Sequence, residues 1–164
     1  MYFYLNLFFI YAIFGYFFET FAMFIQNKNY NSSVLYGPWT IVYGISILIM
    51  ILVYILLRKK RMNPFKEKIV YFFTITIVLT LLEGLSGYII EFTQHKIYWN
   101  YDDLYFHIGH YMALEISFIW GIMSLISIYI ILPKIKRFVD KIPKIITNII
   151  LALFIIDIIF SFIL

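Results

Sequence analysis

The chain has 164 residues, of which 63% are hydrophobic and only 13% are charged, about half the charged fraction of a typical soluble domain. This composition excludes an ordinary soluble protein, and the lack of cysteine excludes disulfide frameworks and thiolate metal sites. The net charge of +4 does not indicate nucleic-acid binding, because the basic residues lie in short segments between long apolar runs. We therefore predict an all-α, polytopic helical membrane protein with a single transmembrane domain over residues 1–164.

Five apolar runs are each near the roughly 20 residues that a membrane-crossing helix requires. We predict membrane spans at residues 2–25, 39–57, 69–92, 111–132 and 145–164. The predicted contact with the lipid bilayer follows directly from these lengths.

Lysine and arginine are concentrated in two of the four connections between the predicted spans. The connection after span two contains Arg58, Lys59, Lys60, Arg61, Lys66 and Lys68. The connection after span four contains Lys134, Lys136, Arg137, Lys141 and Lys144. Because only Lys28 and Lys96 lie in the other two connections, the positive-inside rule places both basic loops and the N-terminus in the cytoplasm. Docking of a nucleotide or a partner is an alternative role for these basic residues.

The third connection, residues 93–110 and called loop three below, is rich in aromatic residues and contains three histidines. A belt of aromatic residues at the membrane surface explains the former, but it does not explain the acids and histidines. His107 and His110 are three residues apart, so a helical turn would bring them together near Asp102 and Asp103. Acids and histidines at a membrane surface are usually only hydrated, and we predict no metal site.

Acidic residues inside the predicted spans are the strongest indication of function. They are Glu19, Glu83, Glu91, Glu115 and Asp157. A helical rise of ~1.5 Å per residue places all five in the half of the membrane that faces loop three. Because no lysine or arginine lies in any predicted span and a carboxylate in lipid is costly, we predict a shared outward-facing cavity. The alternative is that each acid only hydrogen-bonds a neighbouring helix.

Three ways of compensating these carboxylates stay open. They could be protonated, pair with groups of loop three such as His110, or bind a cation or cationic substrate. Glu83, Gly87 and Glu91 are four residues apart, so they share one helical face. Small residues let helices approach closely in lipid, so we predict that spans one and three are neighbours, with Gly15 and Gly87 at close helix contacts.

A weak internal repeat relates spans one and two to spans three and four. The segment Gly15-Tyr16-Phe17-Phe18-Glu19 matches Gly87-Tyr88-Ile89-Ile90-Glu91, and Tyr43-Gly44 matches Trp120-Gly121. Two spans per unit would give both units the same orientation in the membrane, as in transporters with parallel repeats. Chance similarity is the alternative.

Motifs for nucleotide or catalytic chemistry are missing from the sequence. It contains no Gly-x-x-x-x-Gly-Lys-Ser/Thr loop, no His-Glu-x-x-His and no Gly-x-Ser-x-Gly. The chain therefore has no ATP site built on a Gly-x-x-x-x-Gly-Lys-Ser/Thr loop. We assign it no cofactor and no catalytic residue.

Several short motifs occur together in a characteristic order. They are Leu35-Tyr36-Gly37-Pro38, Tyr43-Gly44, the Gly-x-x-x-Glu of span one, Trp99-x-Tyr101, and Leu114-Glu115 followed by Trp120-Gly121. In these motifs the chain resembles the bacterial putative ABC-transporter permease family of type IV over nearly its whole length. It departs from the family pattern at Tyr16, Asn100 and His110, where tryptophan, aspartate and arginine are expected. An arginine would neutralise the membrane acids permanently, whereas His110 does so only when protonated.

The resemblance implies a multi-pass protein of the bacterial cytoplasmic membrane that acts as a transport component, either permease-like or substrate-capturing. Such a component would need a separate ATPase or an ion gradient, and five spans imply a homo-oligomer or a partner membrane subunit. The residues predicted to bind substrate are Glu19, Glu83, Glu91, Glu115, His110, Trp99 and Tyr36. The alternatives are an intramembrane enzyme using Glu and His for acid–base chemistry on a lipid-linked or envelope substrate, and a membrane assembly or scaffold protein.

Overall fold

The computed structural model describes residues 1–25 and 34–163. Its helices are α1 (Tyr2–Ile25), α2 (Ile41–Arg58), α3 (Pro64–Gln94), α4 (Leu114–Ile126), α5 (Leu132–Asp140) and α6 (Lys144–Ile163), with a π-helical segment at Ser127–Ile131. Two strands, β1 (His107–Ile108) and β2 (Met112–Ala113), form a small antiparallel hairpin. The all-α fold class is confirmed, since this hairpin is the only sheet in the part of the chain that the structure describes.

Five helices are long and apolar enough to cross a membrane, as predicted. They are Tyr2–Ile25, Ile41–Arg58, Pro64–Gln94, Leu114–Asp140 and Lys144–Phe162. The fourth is continuous from α4 through the π-helical segment into α5.

Two helices extend well beyond the predicted membrane spans, and in both cases the helix continues into a basic segment. Helix α3 begins at Pro64, because the Asn63 side chain accepts a hydrogen bond from Phe65 N at 2.9 Å and proline favours the first helical position. The fourth membrane helix continues to Asp140. Lysine and arginine are good helix formers, so several basic residues assigned to loops lie on helices instead. These are Lys66, Lys68, Lys134, Lys136 and Arg137.

The chain divides into two compact units, which are described separately. Unit 1 comprises Met1–Ile45 and Lys136–Leu164, and unit 2 comprises Ser46–Ile135. Within unit 1, the buried core consists of Phe9, Ala12, Leu35, Trp39 and Phe154. The Phe154 ring makes edge-to-face contacts with the rings of Phe9 and Trp39, a favourable arrangement of aromatic pairs. These contacts fix α6 against α1 and the segment before α2.

A buried polar contact joins α1 and α6 near the first turn of each helix. Thr147 donates a hydrogen bond to Asn6 Oδ1 at 2.6 Å, and Asn6 Nδ2 donates to the Val139 carbonyl at 3.4 Å. Because buried polar groups without partners are costly, these bonds also select the register of the two helices.

Unit 2 is built around one face of α3. Its buried residues Glu67, Tyr71, Ile75, Leu79, Glu83 and Gly87 recur every four positions. Helix α4 packs on this helix through small residues: a Cβ on Gly121 would collide with Thr76 and Phe72 of α3. Close approach at a glycine is expected where helices pack in lipid. The predicted helical face of Glu83 and Gly87 is therefore buried, and it continues along α3 to Glu67.

The hairpin of β1 and β2 corrects the expectation of a helical turn between His107 and His110. His107 pairs with Ala113 across the hairpin, and Gly109 adopts a φ of +62° in the turn. Glycine takes this left-handed conformation without steric cost. The turn lets the chain reverse directly before α4, so that Tyr111 faces α3.

Candidate functional site

The Glu83 side chain lies at the centre of a hydrogen-bonded group in unit 2. Tyr101 donates its hydroxyl to Glu83 Oε1 at 2.7 Å, and Trp120 donates its indole N–H to Oε2 at 2.9 Å. Glu83 is only 6% exposed. Both carboxylate oxygens therefore have neutral donors, one from loop three and one from α4.

Glu91 lies two helical turns further along α3 and is bound by the hairpin. Tyr111 donates its hydroxyl to Glu91 Oε2 at 3.0 Å, and Tyr111 is almost fully buried. Its ring covers Gly87, where any Cβ would collide with it. Gly87 is therefore at a close contact, as predicted, but the contact is with the hairpin. The predicted packing of span one against span three stays a prediction. The glycine is needed because the tyrosine lies directly on the α3 backbone.

Glu115 is in the first turn of α4, beneath loop three. Its Oε1 accepts a hydrogen bond from Phe106 N at 3.3 Å, and its Oε2 is buried without a partner in the described chain. Trp99 is also in this region, with its ring 5.5 Å from that of Tyr111, and its indole N–H is likewise buried without a partner in the part described. Buried polar atoms of this kind are rare and often mark a ligand or water position.

His110 binds an aspartate of loop three. Its Nδ1 lies 2.8 Å from Asp102 Oδ2, and Asn100 Nδ2 donates to the same oxygen at 2.8 Å. These hydrogen bonds, first that of Asn100 and then that of His110, lower the pKa of Asp102 from its ordinary value of 3.8. The group lies on the exposed surface, where it ties the start of loop three to the hairpin.

The remaining predicted residues, Glu19 and Tyr36, belong to unit 1. Thr40 donates a long hydrogen bond of 3.5 Å to Glu19 Oε2. A Cβ on Gly15 would collide with the ring of Tyr43, which confirms the predicted close contact there. Tyr36 is 81% exposed, and its backbone N–H donates to Ser161 Oγ at 3.2 Å.

The two glycines matched by the sequence repeat thus have similar surroundings. Each is covered by a tyrosine ring, but Tyr43 lies on α2 whereas Tyr111 lies in the hairpin before α4. The internal duplication itself stays a prediction. So does the single outward-facing cavity for all the glutamates.

Two acids with well-defined partners were not included in the predicted site. Asp157 on α6 accepts hydrogen bonds from Gly37 N at 2.9 Å and from the Trp39 indole at 2.8 Å. Glu67 on α3 is 4% exposed and lies 3.8 Å from Arg58, while Tyr129 donates to it at 3.2 Å. Glu67 was placed in a loop because α3 was predicted too short. Glu67 precedes Glu83 by sixteen residues, which is four steps of the four-residue pattern. This spacing could have placed Glu67 on the same helical face.

The charges around these acids differ in kind. In the described chain, lysine, arginine or histidine forms an ion pair only with Glu67 and Asp102. Glu83, Glu91 and Glu115 have neutral donors alone. Within the described residues, no group of three or more histidine and acidic side chains is arranged to hold a metal ion.

Comparison with known proteins identifies a family. No curated protein and no solved structure matches the chain. A family described as "Putative ABC-transporter type IV" matches residues 6–164, nearly the whole length, and confirms the resemblance found in the motifs. With its five apolar helices, the chain is a membrane protein that belongs to the Putative ABC-transporter type IV family.

Proposed function

We propose that the chain is the membrane component of a transport system and captures a cationic substrate at the outer face of the bacterial cytoplasmic membrane. The observation that carries this proposal is the set of neutral hydrogen bonds from loop three and α4 to the acids of unit 2. Tyr101 and Trp120 bind Glu83, and Tyr111 binds Glu91. Carboxylates inside a membrane that lack a fixed cation commonly mark a substrate or ion pathway.

Loop three would act as the cap of this site. Its tyrosines occupy the carboxylate oxygens that a substrate cation would need, so capture would require those hydrogen bonds to be exchanged. A tyrosine hydroxyl that donates to a carboxylate leaves the negative charge uncompensated, whereas a cationic donor also neutralises that charge. A cationic group would therefore displace a tyrosine hydroxyl favourably. Two polar atoms of this region have no partner in the described chain: the indole N–H of Trp99, which belongs to loop three, and Oε2 of Glu115, whose other oxygen accepts a hydrogen bond from Phe106 N of that loop.

Orientation follows from the basic residues, which lie at the Glu67 end of α3 and along α5. The positive-inside rule places these segments in the cytoplasm. Loop three would then face the outside, where a captured substrate would arrive. A separate ATPase would act at the cytoplasmic side, because the sequence lacks a phosphate-binding loop. A homo-oligomer or a second membrane subunit would complete the pathway.

The test uses the full chain purified from native membranes with any subunits that remain bound. The complex is reconstituted into liposomes, and ATP hydrolysis is measured with spermidine, choline or potassium added outside, against equal glucose or glutamate. We expect an ATPase in the complex and stimulation by at least one cation but by neither control. Glu91→Gln should abolish the stimulation. Asp103→Asn, which alters an exposed acid of loop three, should retain it.

Two results would contradict the proposal. The first is a purified chain that contains no ATPase yet carries out its cellular role, which would favour the intramembrane enzyme or the scaffold. The second is a Glu91→Gln variant that responds to the cation as the wild type does.

A further inference from the structure

A second site is present in unit 1, at the end of α6 that lies near Tyr36. A cavity of about 430 Å³ is lined by Tyr36, Leu153, Ile156, Asp157 and Phe160. This volume is within the ~300–1,000 Å³ of typical small-molecule pockets. All of its lining residues belong to unit 1. The proposed transport site, which is in unit 2, does not include them.

The carboxylate of Asp157 is held in a fixed orientation in this cavity. Its Oδ2 accepts hydrogen bonds from Gly37 N at 2.9 Å and from the Trp39 indole at 2.8 Å. A Cβ on Gly37 would lie 2.8 Å from the same oxygen and would collide with the indole. The residue must therefore be glycine for both donors to reach Asp157, which indicates a site with a preformed geometry.

The second oxygen of Asp157 is only weakly used. Oδ1 accepts a single long hydrogen bond of 3.4 Å from Ser161 Oγ. Among the described residues, no lysine, arginine or histidine pairs with this carboxylate. A carboxyl oxygen with unused acceptor capacity within the described chain thus lines the cavity, and a positively charged donor would satisfy it best.

The walls of the cavity are apolar or aromatic and largely exposed. Leu153 is 52% exposed, Ile156 is 49% exposed and Phe160 is 50% exposed. Aromatic rings such as those of Phe160 and Tyr36 attract cations to their faces. Among the described residues, no basic side chain lines the cavity, so none of the lining side chains would hold the phosphate of a phospholipid headgroup.

From this combination we propose that the cavity binds a hydrophobic amine, meaning an apolar chain that carries one ammonium group and no phosphate. The ammonium group donates to Asp157 Oδ1, and the apolar chain lies along Leu153, Ile156 and Phe160 on α6. The site depends on contacts within unit 1 alone, so it does not require the proposed transport function.

The experiment measures binding of radiolabelled decylamine to the full chain in phosphatidylcholine nanodiscs, with empty nanodiscs subtracted. Decanol, which has the same chain without the charge, is the matched ligand. We expect saturable binding of one decylamine per chain and binding of decanol weaker by about tenfold or more, as the loss of a charge-assisted hydrogen bond requires.

Variants locate the site. Asp157→Asn should weaken decylamine binding by about tenfold or more and leave decanol binding nearly unchanged. Asp140→Asn removes the charge of an exposed acid of the same unit and should bind as the wild type does.

Three outcomes would overturn the proposal: equal affinities for decylamine and decanol in the wild type, binding that never saturates because the amine only partitions into the bilayer, or unchanged affinity in Asp157→Asn. The first two concern the wild-type protein, so the proposal is tested even where Asp157→Asn does not fold.

Discussion

Glu67 and Glu83 lie on the same buried face of α3, sixteen residues apart, yet their surroundings are opposite. Glu67 is 4% exposed and pairs with Arg58. Glu83 is 6% exposed, and its donors among the described residues are the neutral groups of Tyr101 and Trp120. Equal burial therefore does not mean equal role. A carboxylate whose charge is already compensated serves the fold, whereas one that is held only by neutral donors can accept a cation.

The surroundings of the two acids differ in a second respect. Glu67 lies beside a cluster of three tyrosines, Tyr54, Tyr71 and Tyr129, whose rings meet edge to face. Tyr129 is in the π-helical segment, and Lys68 lies over its ring. This end of α3 is thus locked by mutual packing. The Glu83 end is covered by loop three, and loops open more readily than packed helices.

The largest expected effect concerns the sides of the membrane on which these two ends lie. Single cysteines at Lys60 and Lys141 should resist a membrane-impermeant maleimide in intact cells, and a cysteine at Asp103 should react, because basic segments stay in the cytoplasm. All three positions are exposed, so each should react after the cells are permeabilised. Labelling of Lys60→Cys in intact cells would reverse the two ends and move the proposed capture site inside.

Glu83→Gln should have the next largest effect, on function and not on folding. Removing one member of a buried charge pair with the substrate costs about 2–5 kcal/mol, so cation-stimulated ATP hydrolysis should fall below detection. Glutamine retains an acceptor for one of the two neutral donors, so the protein should still reach the membrane. Glu67→Gln, the matched change on the same face, should keep most of the cation response. Equal loss in both variants would remove the functional distinction between these acids.

Glu67→Gln should instead lower stability. The change removes the ion pair with Arg58 and weakens the hydrogen bond from Tyr129, for an expected loss of about 1–3 kcal/mol in the free energy of unfolding in detergent. Arg58→Gln should cost only about 0–1 kcal/mol, because that side chain is 60% exposed and its charge is screened by water. The test compares the losses in the free energy of unfolding of the two variants. A larger loss for Arg58→Gln than for Glu67→Gln would contradict the prediction.

Tyr101→Phe should loosen the cap over Glu83. One partly buried hydrogen bond of 2.7 Å is lost, which corresponds to about 1 kcal/mol. Hydrogen exchange of the loop-three amides should accelerate by roughly fivefold, as this free energy implies. Tyr105→Phe is the matched control, since Tyr105 is 96% exposed, and it should leave the exchange unchanged. Equal exchange in both variants would show that Tyr101 does not hold the loop.

The smallest effect concerns the pH dependence of the surface group around Asp102. Hydrogen bonds from Asn100 and His110 lower the pKa of Asp102 in the folded protein. Its contribution to stability is therefore present above the ordinary pKa of 3.8 and is lost as the pH falls through the lower folded value. The unfolding midpoints of the wild type and Asp102→Asn should differ slightly above the ordinary pKa of 3.8 and converge as the pH falls below the lowered folded pKa. A difference that grows on acidification would have the wrong sign.

The amino-acid sequence by itself determined the fold class, the number of apolar helices and the acids within them. Helix formation and hydrophobicity depend on neighbouring residues, so they can be read from composition and spacing alone. The close contacts at Gly15 and Gly87 were also predictable, because small residues in apolar helices mark packing. The family resemblance came from short motifs that are likewise local.

Only the tertiary structure decided which group donates a hydrogen bond to each acid. The donors to Glu83 come from residues 18 and 37 positions away, and the donor to Glu91 from 20 positions away. Nothing local in the sequence specifies such pairs, since they arise when loop three and α4 pack on α3. The hairpin at Gly109 was missed for the same reason. The extension of α3 to Pro64 was missed although its start signal, the Asn63 cap followed by proline, is local. Turn geometry and pairing across helices depend on contacts that form only when the chain has folded.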